Sequence, residues 1–183
     1  ECRSVLDITL SAGAESGVNA MLPDAVFVMM NPGSSKPLEG TVADIQRDDF
    51  PILRKKLVLT KPDTTQYQLM RVMSFLQWGY VRVLNLSDLR NPQSSEFIDQ
   101  FQSLESRDQF FAHSIFADQR SKELSAAMTR KKGAPVVCAW GVNQRLAPLI
   151  DLAVRAVERE GGCIGLAKPG AAHLFYHPLP TTQ

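Results

Sequence analysis

The sequence predicts a single α/β domain, residues 1–183, built on a central and mostly parallel sheet, and three observations carry that expectation. The chain has 183 residues, enough for one substantial core and short for two independent ones. Apolar runs of strand length recur at 25–30, 80–86, 135–140 and 163–166. Between them lie segments whose apolar residues fall at helical spacing, so strands and helices alternate as crossover connections require.

Taken in order, residues 3–10 combine alternation with β-branching and predict a strand at the sheet edge, antiparallel to the rest. Residues 11–20 form a small-residue turn region. Ala25-Val26-Phe27-Val28-Met29-Met30 is continuously apolar between Pro23-Asp24 and Asn31-Pro32-Gly33, the pattern of a central strand covered on both faces. The segment 38–60 is the least regular, with a short helix expected near 42–47 followed by a lid. Asp63 or Thr64 can cap a helix with Leu69, Val72, Met73 and Leu76 on one face, ended by Gly79. The next strand, 80–86, opens into Ser87-Asp88-Leu89-Arg90-Asn91-Pro92. A helix is expected from Ser94 or Ser95 with Phe97, Ile98 and Phe101 as its apolar stripe, and another over 107–129, closed by Arg130-Lys131-Lys132-Gly133. After the strand 135–140, Gly141-Val142-Asn143 leads into a helix carrying Leu146, Leu149, Ile150, Ala153 and Val157 inward. Cys163-Ile164-Gly165-Leu166 is the fourth parallel strand.

Composition narrows the partners. With 20 basic and 19 acidic side chains the formal charge is +1, so no global field draws in nucleic acid or an anionic membrane surface; a locally basic lining remains open. Cys2, Cys138 and Cys163 form no metal-binding pair by spacing, and two of them sit in apolar runs as buried thiols. That usage fits a reducing compartment and predicts a cytoplasmic protein. No apolar stretch reaches membrane-spanning length, and no signal peptide is visible.

In sheets of this kind ligands bind beyond the carboxyl ends of the strands, where Asn31, Asn85 and Gly141 are expected. Asn31-Pro32-Gly33-Ser34-Ser35-Lys36-Pro37 is a tight turn whose N–H groups, hydroxyls and ammonium suit an anion or a polar ring; equally, it is a surface turn leaving a strand. Asn85 ends an apolar strand with an acceptor and two donors, fit to recognise the edge of a base, or it caps the following loop. Asp88 and Arg90 stand as pocket residues or as a local ion pair. His177, held in extended chain by Pro178 and Pro180, can donate a proton or stabilise anionic charge, as can His173; each also has an ordinary structural reading. Cys163, His173 and His177 lack a fourth partner and predict no metal. Trp78, Tyr80 and Trp140 are stacking platforms or, more simply, packing residues, and His113 lies among Phe110, Phe111 and Phe116 as a core or surface histidine. Arg54-Lys55-Lys56 and 130–132 are solvated basic faces or flanks for a backbone phosphate. Dinucleotide, phosphate-loop, nucleophile-elbow and zinc-deaminase patterns are all missing.

Met30-Asn31-Pro32-Gly33-Ser34-Ser35, Trp78-Gly79-Tyr80 running into Val83-Leu84-Asn85-Leu86 and Leu89-Arg90, Val137-Cys138-Ala139-Trp140-Gly141, Gly165-Leu166-Ala167-Lys168 and His177-Pro178-Leu179 follow one another in an order that resembles the mainly bacterial family called domain of unknown function 1643. The resemblance covers roughly residues 3 to 180. That family is in turn distantly similar to the uracil-DNA glycosylase superfamily, which implies a three-layer α/β/α sandwich. It also implies roles: Asn31, ahead of Pro32 and Gly33, places water; Asn85 recognises a base; His177, in His177-Pro178-Leu179-Pro180, stabilises the departing base. Leu179 replaces a serine of the family pattern, the aspartate of the uracil-specific members is absent from the first motif, and only Thr181-Thr182-Gln183 follow Pro180. A base pocket without the duplex-inserting apparatus is the expectation.

Three functions compete on these residues. The first is an N-glycosidic hydrolase with Asn31 and His177 catalytic and Pro32, Gly33, Ser34, Asn85, Asp88, Arg90, Gly141 and Lys168 binding substrate, without metal or other cofactor. Its ligand would be a nucleobase-containing small molecule or nucleic acid, with Phe50 or Tyr67 stacking on the ring. The second is a noncatalytic nucleotide- or nucleic-acid-binding module that keeps the pocket. The third is a protein-interaction domain.

Overall fold

The structure, a computed structural model, describes residues 2–10, 21–39 and 57–179. The small-residue turn 11–20, the helix expected at 42–47, Phe50, the basic run 54–56 and Pro180 lie outside the described residues.

The elements run β1 (Val5–Thr9), β2 (Ala25–Met29), β3 (Lys36–Pro37), β4 (Thr60–Lys61), α1 (Thr64–Leu76), β5 (Tyr80–Asn85), α2 (Ser94–Asp108), α3 (Ser121–Met128), β6 (Val136–Cys138) and α4 (Ala147–Arg159). The main sheet has four strands in the order β1-β5-β2-β6, while β3 and β4 pair as a separate two-stranded ribbon. β2 is parallel to both β5 and β6, and β1 is antiparallel to β5 at the edge. Burial follows position: every residue of β2 is buried, whereas β1 alternates, as the sequence pattern predicts for a central and an edge strand.

The side chains of β2 divide between two cores because successive residues point to opposite faces. Ala25, Phe27 and Met29 join Leu6, Ile8, Val81 and Val83 beneath Leu69 and Met73 of α1. Val26 and Val28 face the other way, into a larger core with Phe97, Ile98 and Phe101 of α2, Leu124 and Met128 of α3, and Leu149, Ile150, Ala153 and Val157 of α4. The connection from β2 steps to β5 on one side, and the connection from β5 passes to β6 on the other. Reversing direction while keeping right-handed crossovers places the connecting helices on opposite faces. It also splits the chain at the carboxyl ends of β2 and β5, where a crevice opens.

Helix α1 begins where Asp63 accepts a hydrogen bond from the Gln66 N–H and ends at Gln77, in the left-handed region at φ 56°, rather than at Gly79. Of its expected stripe, Leu69 and Met73 are buried, but Val72 and Leu76 are exposed; Gln66 takes the inward position one turn earlier. The single helix expected over 107–129 is broken. Residues 107–108 belong to the end of α2, residues 109–117 form turns that bury Ile115, Phe116 and His113, and α-helix resumes at Ser121–Met128. Packing of these aromatic and polar groups under the loop after β5 outweighs the helical spacing.

The fourth parallel strand expected over 163–166 is reduced to one bridge between Ile164 and Val137. After Ile164 the chain leaves the sheet to hold the C-terminal segment: Tyr176 N–H donates to the Leu166 carbonyl and Lys168 N–H to that of Leu174. Gly165 permits this path, since a Cβ there would lie 2.4 Å from the Cys138 carbonyl oxygen and 2.6 Å from the Phe175 ring. Trp140, fully buried, donates from its indole N–H to the His173 carbonyl and meets Phe175 edge-on. The indole thus packs and anchors rather than stacking on a ligand.

Beneath the loop after β5 lies a buried ionic cluster. Arg120, 2% exposed, donates to Asp88 at 2.7 Å and to the Ala112 carbonyl, and pairs with Glu123 on its outer side. Ser4 donates to the same Asp88 oxygen. Replacing Arg120 with Met is expected to destabilise the fold by about 3–5 kcal/mol, because it leaves Asp88 buried without its counter-charge. Chemical denaturation of R120M beside the D88L/R120M double variant checks this: the double variant should recover much of the loss, since no buried charge is then orphaned.

Candidate functional site at the carboxyl ends of β2 and β5

The crevice forms a cavity of about 120 Å³ lined by Asn31, Pro32 and Gly33 after β2, Asn85 at the end of β5, and His177 from the C-terminal segment. Apolar cavities of about 150 Å³ hold a single benzene-sized ring, so this volume is on the scale of one ring. Arg3, Asp63, Gln66 and Ser94 complete its polar wall.

Each side chain arrives for a local reason. Asn85 is the register partner of Met29 and shares the strand parity of Val81 and Val83, so its amide faces α1; it is 1% exposed. Gln66 lies one turn ahead of Leu69 on the inner stripe of α1 and is 4% exposed. Asn31 follows β2 by two residues and reaches across the crevice, its Nδ2 donating to the Asn91 carbonyl at 2.6 Å and, more distantly, to that of Leu89. Both amide protons are thereby engaged, and what Asn31 has left to offer a ligand or water is its carbonyl oxygen. Gly33 occupies the left-handed region at φ 63°, with Asp63 Oδ2 3.2 Å from where a Cβ would stand, so a side chain at this turn would be both strained and crowded.

His177 is delivered by the pairing of residues 174–176 with Gly141, Leu166 and Lys168. Its Nδ1 accepts from the Leu179 N–H at 3.1 Å. The Leu179 carbonyl lies 3.3 Å from the same nitrogen, but the main-chain N–H can only donate, which favours the neutral ring with its proton on Nε2. Burial agrees, holding the His177 pKa below the usual imidazole value although the nearby Leu179 carbonyl and the Asp63 charge act the other way. His177 is therefore an Nε2–H donor at neutral pH.

Arg3 and Gln66 belong to the wall although neither stood out in the sequence, and Asp63 had been recognised only as a helix cap. Arg3 donates from Nη2 to the Pro32 carbonyl, while its Nε and Nη1 have no partner. Burial and the nearby Arg90 charge push Arg3 down to about 10, against the pull of Asp63 and Asp88. The buried Nδ2 of Asn85 and Nε2 of Gln66 are likewise unpartnered. A polar residue interrupting the apolar stripe of a helix was the available signal for Gln66. For Arg3, sitting before an edge strand, the sequence carries none.

The other expected residues fall outside this cavity. Ser34 is exposed beside it, Asp88 is buried in the Arg120 cluster, and Arg90 stands close enough to depress Arg3. Gly141 and Lys168 act through their main-chain N–H groups, which bind the carbonyls of Phe175 and Leu174. His113 is buried between Ser87 and Glu105, and Tyr80 receives a hydrogen bond from Arg82; both are structural. His173 lies exposed at φ 61°, and Tyr67 is exposed on α1. Among the described residues no group of three or more His, Cys, Asp or Glu is placed to hold a metal ion. No helix among them is long and apolar enough to cross a membrane.

A second concavity, about 590 Å³, lies at the amino end of β6 between 128–136 and 160–164. Two of its cations are already paired, Arg130 with Glu160 and Lys131 with Asp24. The chemistry concentrates at the smaller cavity. No family model matches the chain, and no match is found among curated proteins or among solved structures.

The His177 geometry has a measurable consequence. A folded-state pKa below the unfolded value means the unfolded chain binds the proton first, so this contribution to stability is present above the ordinary imidazole pKa and is lost as pH falls through the depressed one. NMR titration of the His177 ring should give a midpoint below 6.5, with the acid-side stability loss between those two values absent in His177→Gln.

Proposed function

We propose that this cavity binds a base-like ring and that the chain hydrolyses the N-glycosidic bond of a nucleobase-containing substrate. The observation that carries the reading is the convergence of Asn31, Asn85 and His177, which lie far apart in sequence, on one cavity of ring size. Asn85 presents a buried amide to the ring edge. Asn31, its amide protons tied to the opposite loop, offers a fixed carbonyl oxygen that orients a water toward the sugar carbon. That water forms the new C–O bond as the C–N bond breaks, the bonding pair leaves with the base, and the water's proton ends on the departing ring. The Nε2–H of His177 stabilises the negative charge that develops there, an arrangement that favours the transition state over the ground state.

The resemblance to the domain of unknown function 1643 and, beyond it, to the uracil-DNA glycosylases supports the same reading, as do helices whose side chains enter cores on both faces of the sheet, in the manner of a three-layer sandwich. Thiols without disulfides are consistent with a reducing cytoplasm. One observation favours a second reading, a binding module without catalysis: the hydrogen bonds of Asn31 to the loop after β5 give it a structural task as well.

The test is base release from a panel of nucleosides, nucleotides and short uracil- or mismatch-containing strands, with wild type, Asn31→Ala, Asn85→Ala and His177→Ala. Removing one donor to developing anionic charge lowers turnover by about 100- to 1,000-fold, which is the loss expected for His177→Ala. Saturable binding with no release in the wild type would replace hydrolysis by the binding module; no binding across the panel would overturn both.

A further inference from the structure

We propose that the ligand of this cavity carries an oxyanion, a carboxylate or phosphate, seated on Arg3 and Gln66 beside the ring held by Asn85 and His177. This rests on the base-binding reading and narrows its substrate class to anionic compounds.

Four side-chain donor nitrogens in the wall of the cavity have no partner. Arg3 contributes Nε and Nη1, Gln66 contributes Nε2 and Asn85 contributes Nδ2, all buried and all without a partner. His177 adds Nε2–H by the tautomer argued above. Native proteins satisfy the great majority of their buried polar groups, so four unpartnered donor nitrogens around one small space call for a partner that brings acceptors. A neutral ring edge offers few. An oxyanion offers several and forms charge-assisted bonds with a guanidinium.

Field and charge point the same way. The amino-terminal turns of two long helices meet here, α1 through Thr65 and Gln66 and α2 through Ser94, and the positive ends of both dipoles face the cavity. Gln93, which precedes α2, makes no side-chain capping bond, so the first turn of α2 keeps its N–H groups free of a side-chain cap. Arg3 itself carries a positive charge into the wall. The opposing groups are Asp63, whose Oδ1 is engaged by the Gln66 N–H, Asp88, and Glu96 in the first turn of α2.

Binding, rather than turnover, tests this. Calorimetry would compare uracil with its 6-carboxylate, and uridine with its 5′-monophosphate, for wild type, Arg3→Met and Gln66→Met, with inorganic phosphate and acetate alone as further probes. The anionic member of at least one pair should bind about 10- to 100-fold tighter than its neutral counterpart, as expected for hydrogen bonds to a charged group, and Arg3→Met should erase that advantage. Which pair shows it distinguishes carboxylate from phosphate. Gln66→Met should weaken the anionic probe yet raise the melting temperature by about 2–4 °C, because it removes a buried donor that has no partner in the empty protein. Equal affinity within both pairs, or no binding of any anion, overturns the oxyanion inference; equal affinity with tight neutral binding leaves the base reading standing. Phosphate or acetate alone binding as tightly as the ring-bearing anions, with loss in Arg3→Met, supports the oxyanion seat and overturns the base reading. A Gln66→Met variant that melts lower and binds normally assigns Gln66 to structure and removes it from the seat.

Discussion

The buried contact between Arg120 and Asp88 is the constraint on which the rest of this structure turns. A guanidinium and a carboxylate taken out of water must find each other and fill their remaining hydrogen-bonding capacity, or each costs several kcal/mol. Here they do so by drawing together four separate pieces of chain: Ser4 before β1, the loop after β5, the Ala112 carbonyl and the start of α3 with Glu123. Only Oδ1 of Asp88 is left over, buried without a hydrogen-bond partner. The loop it holds is then fixed from other directions as well, through Leu86 and Ser87 to the carbonyls of Met29 and Met30 and through Asp88 to that of His113.

That loop is also the far wall of the cavity. Asn31 reaches it from β2, and the segment carrying Arg3 is tied to it through the Arg3 N–H and the Asp88 carbonyl. The site therefore stands on two kinds of support. Parallel register sets Asn85 opposite Met29 to within the tolerance of a ladder. The ionic cluster beneath sets the loop against which Asn31 is oriented. His177 depends on a further support, the short pairing of the C-terminal segment with Leu166, Lys168 and Gly141, which forms where residues after Ile164 leave the sheet.

The cavity's buried polar deficit runs in one direction. Its unpartnered atoms are donors on Arg3, Gln66 and Asn85, and the positive ends of α1 and α2 lie among them. Buried donors without acceptors lower the stability of the empty protein. A fold that retains them at the crevice where crossover direction reverses, while pairing Arg82 with Asp7 and Arg130 with Glu160 elsewhere, concentrates its polar deficit where a ligand can relieve it.

Periodicity alone determined the central strand, the edge strand, the inner stripes of α2 and α4 and the position of Asn31 and Asn85 at strand ends, because hydrophobic burial imposes a period of two or of 3.6 on any chain that folds around one sheet. Pro178 and Pro180 suggested an extended segment at His177, but the chain bends at residues 178–179 and brings the Leu179 N–H back to the ring. Tertiary structure decided what no local pattern encodes. The apolar run at 163–166 has strand character, yet a close approach that only Gly165 permits turns it toward the C-terminal segment. The helical spacing over 107–129 is interrupted where His113, Phe116 and Arg120 bury under the loop after β5. Asp88 looked like a pocket residue and became the floor beneath one, because a neighbour 32 positions away claimed its charge. Arg3 and Gln66 entered the site for the converse reason: a polar side chain declares its function through the groups it fails to pair with, and pairing is a property of the folded chain.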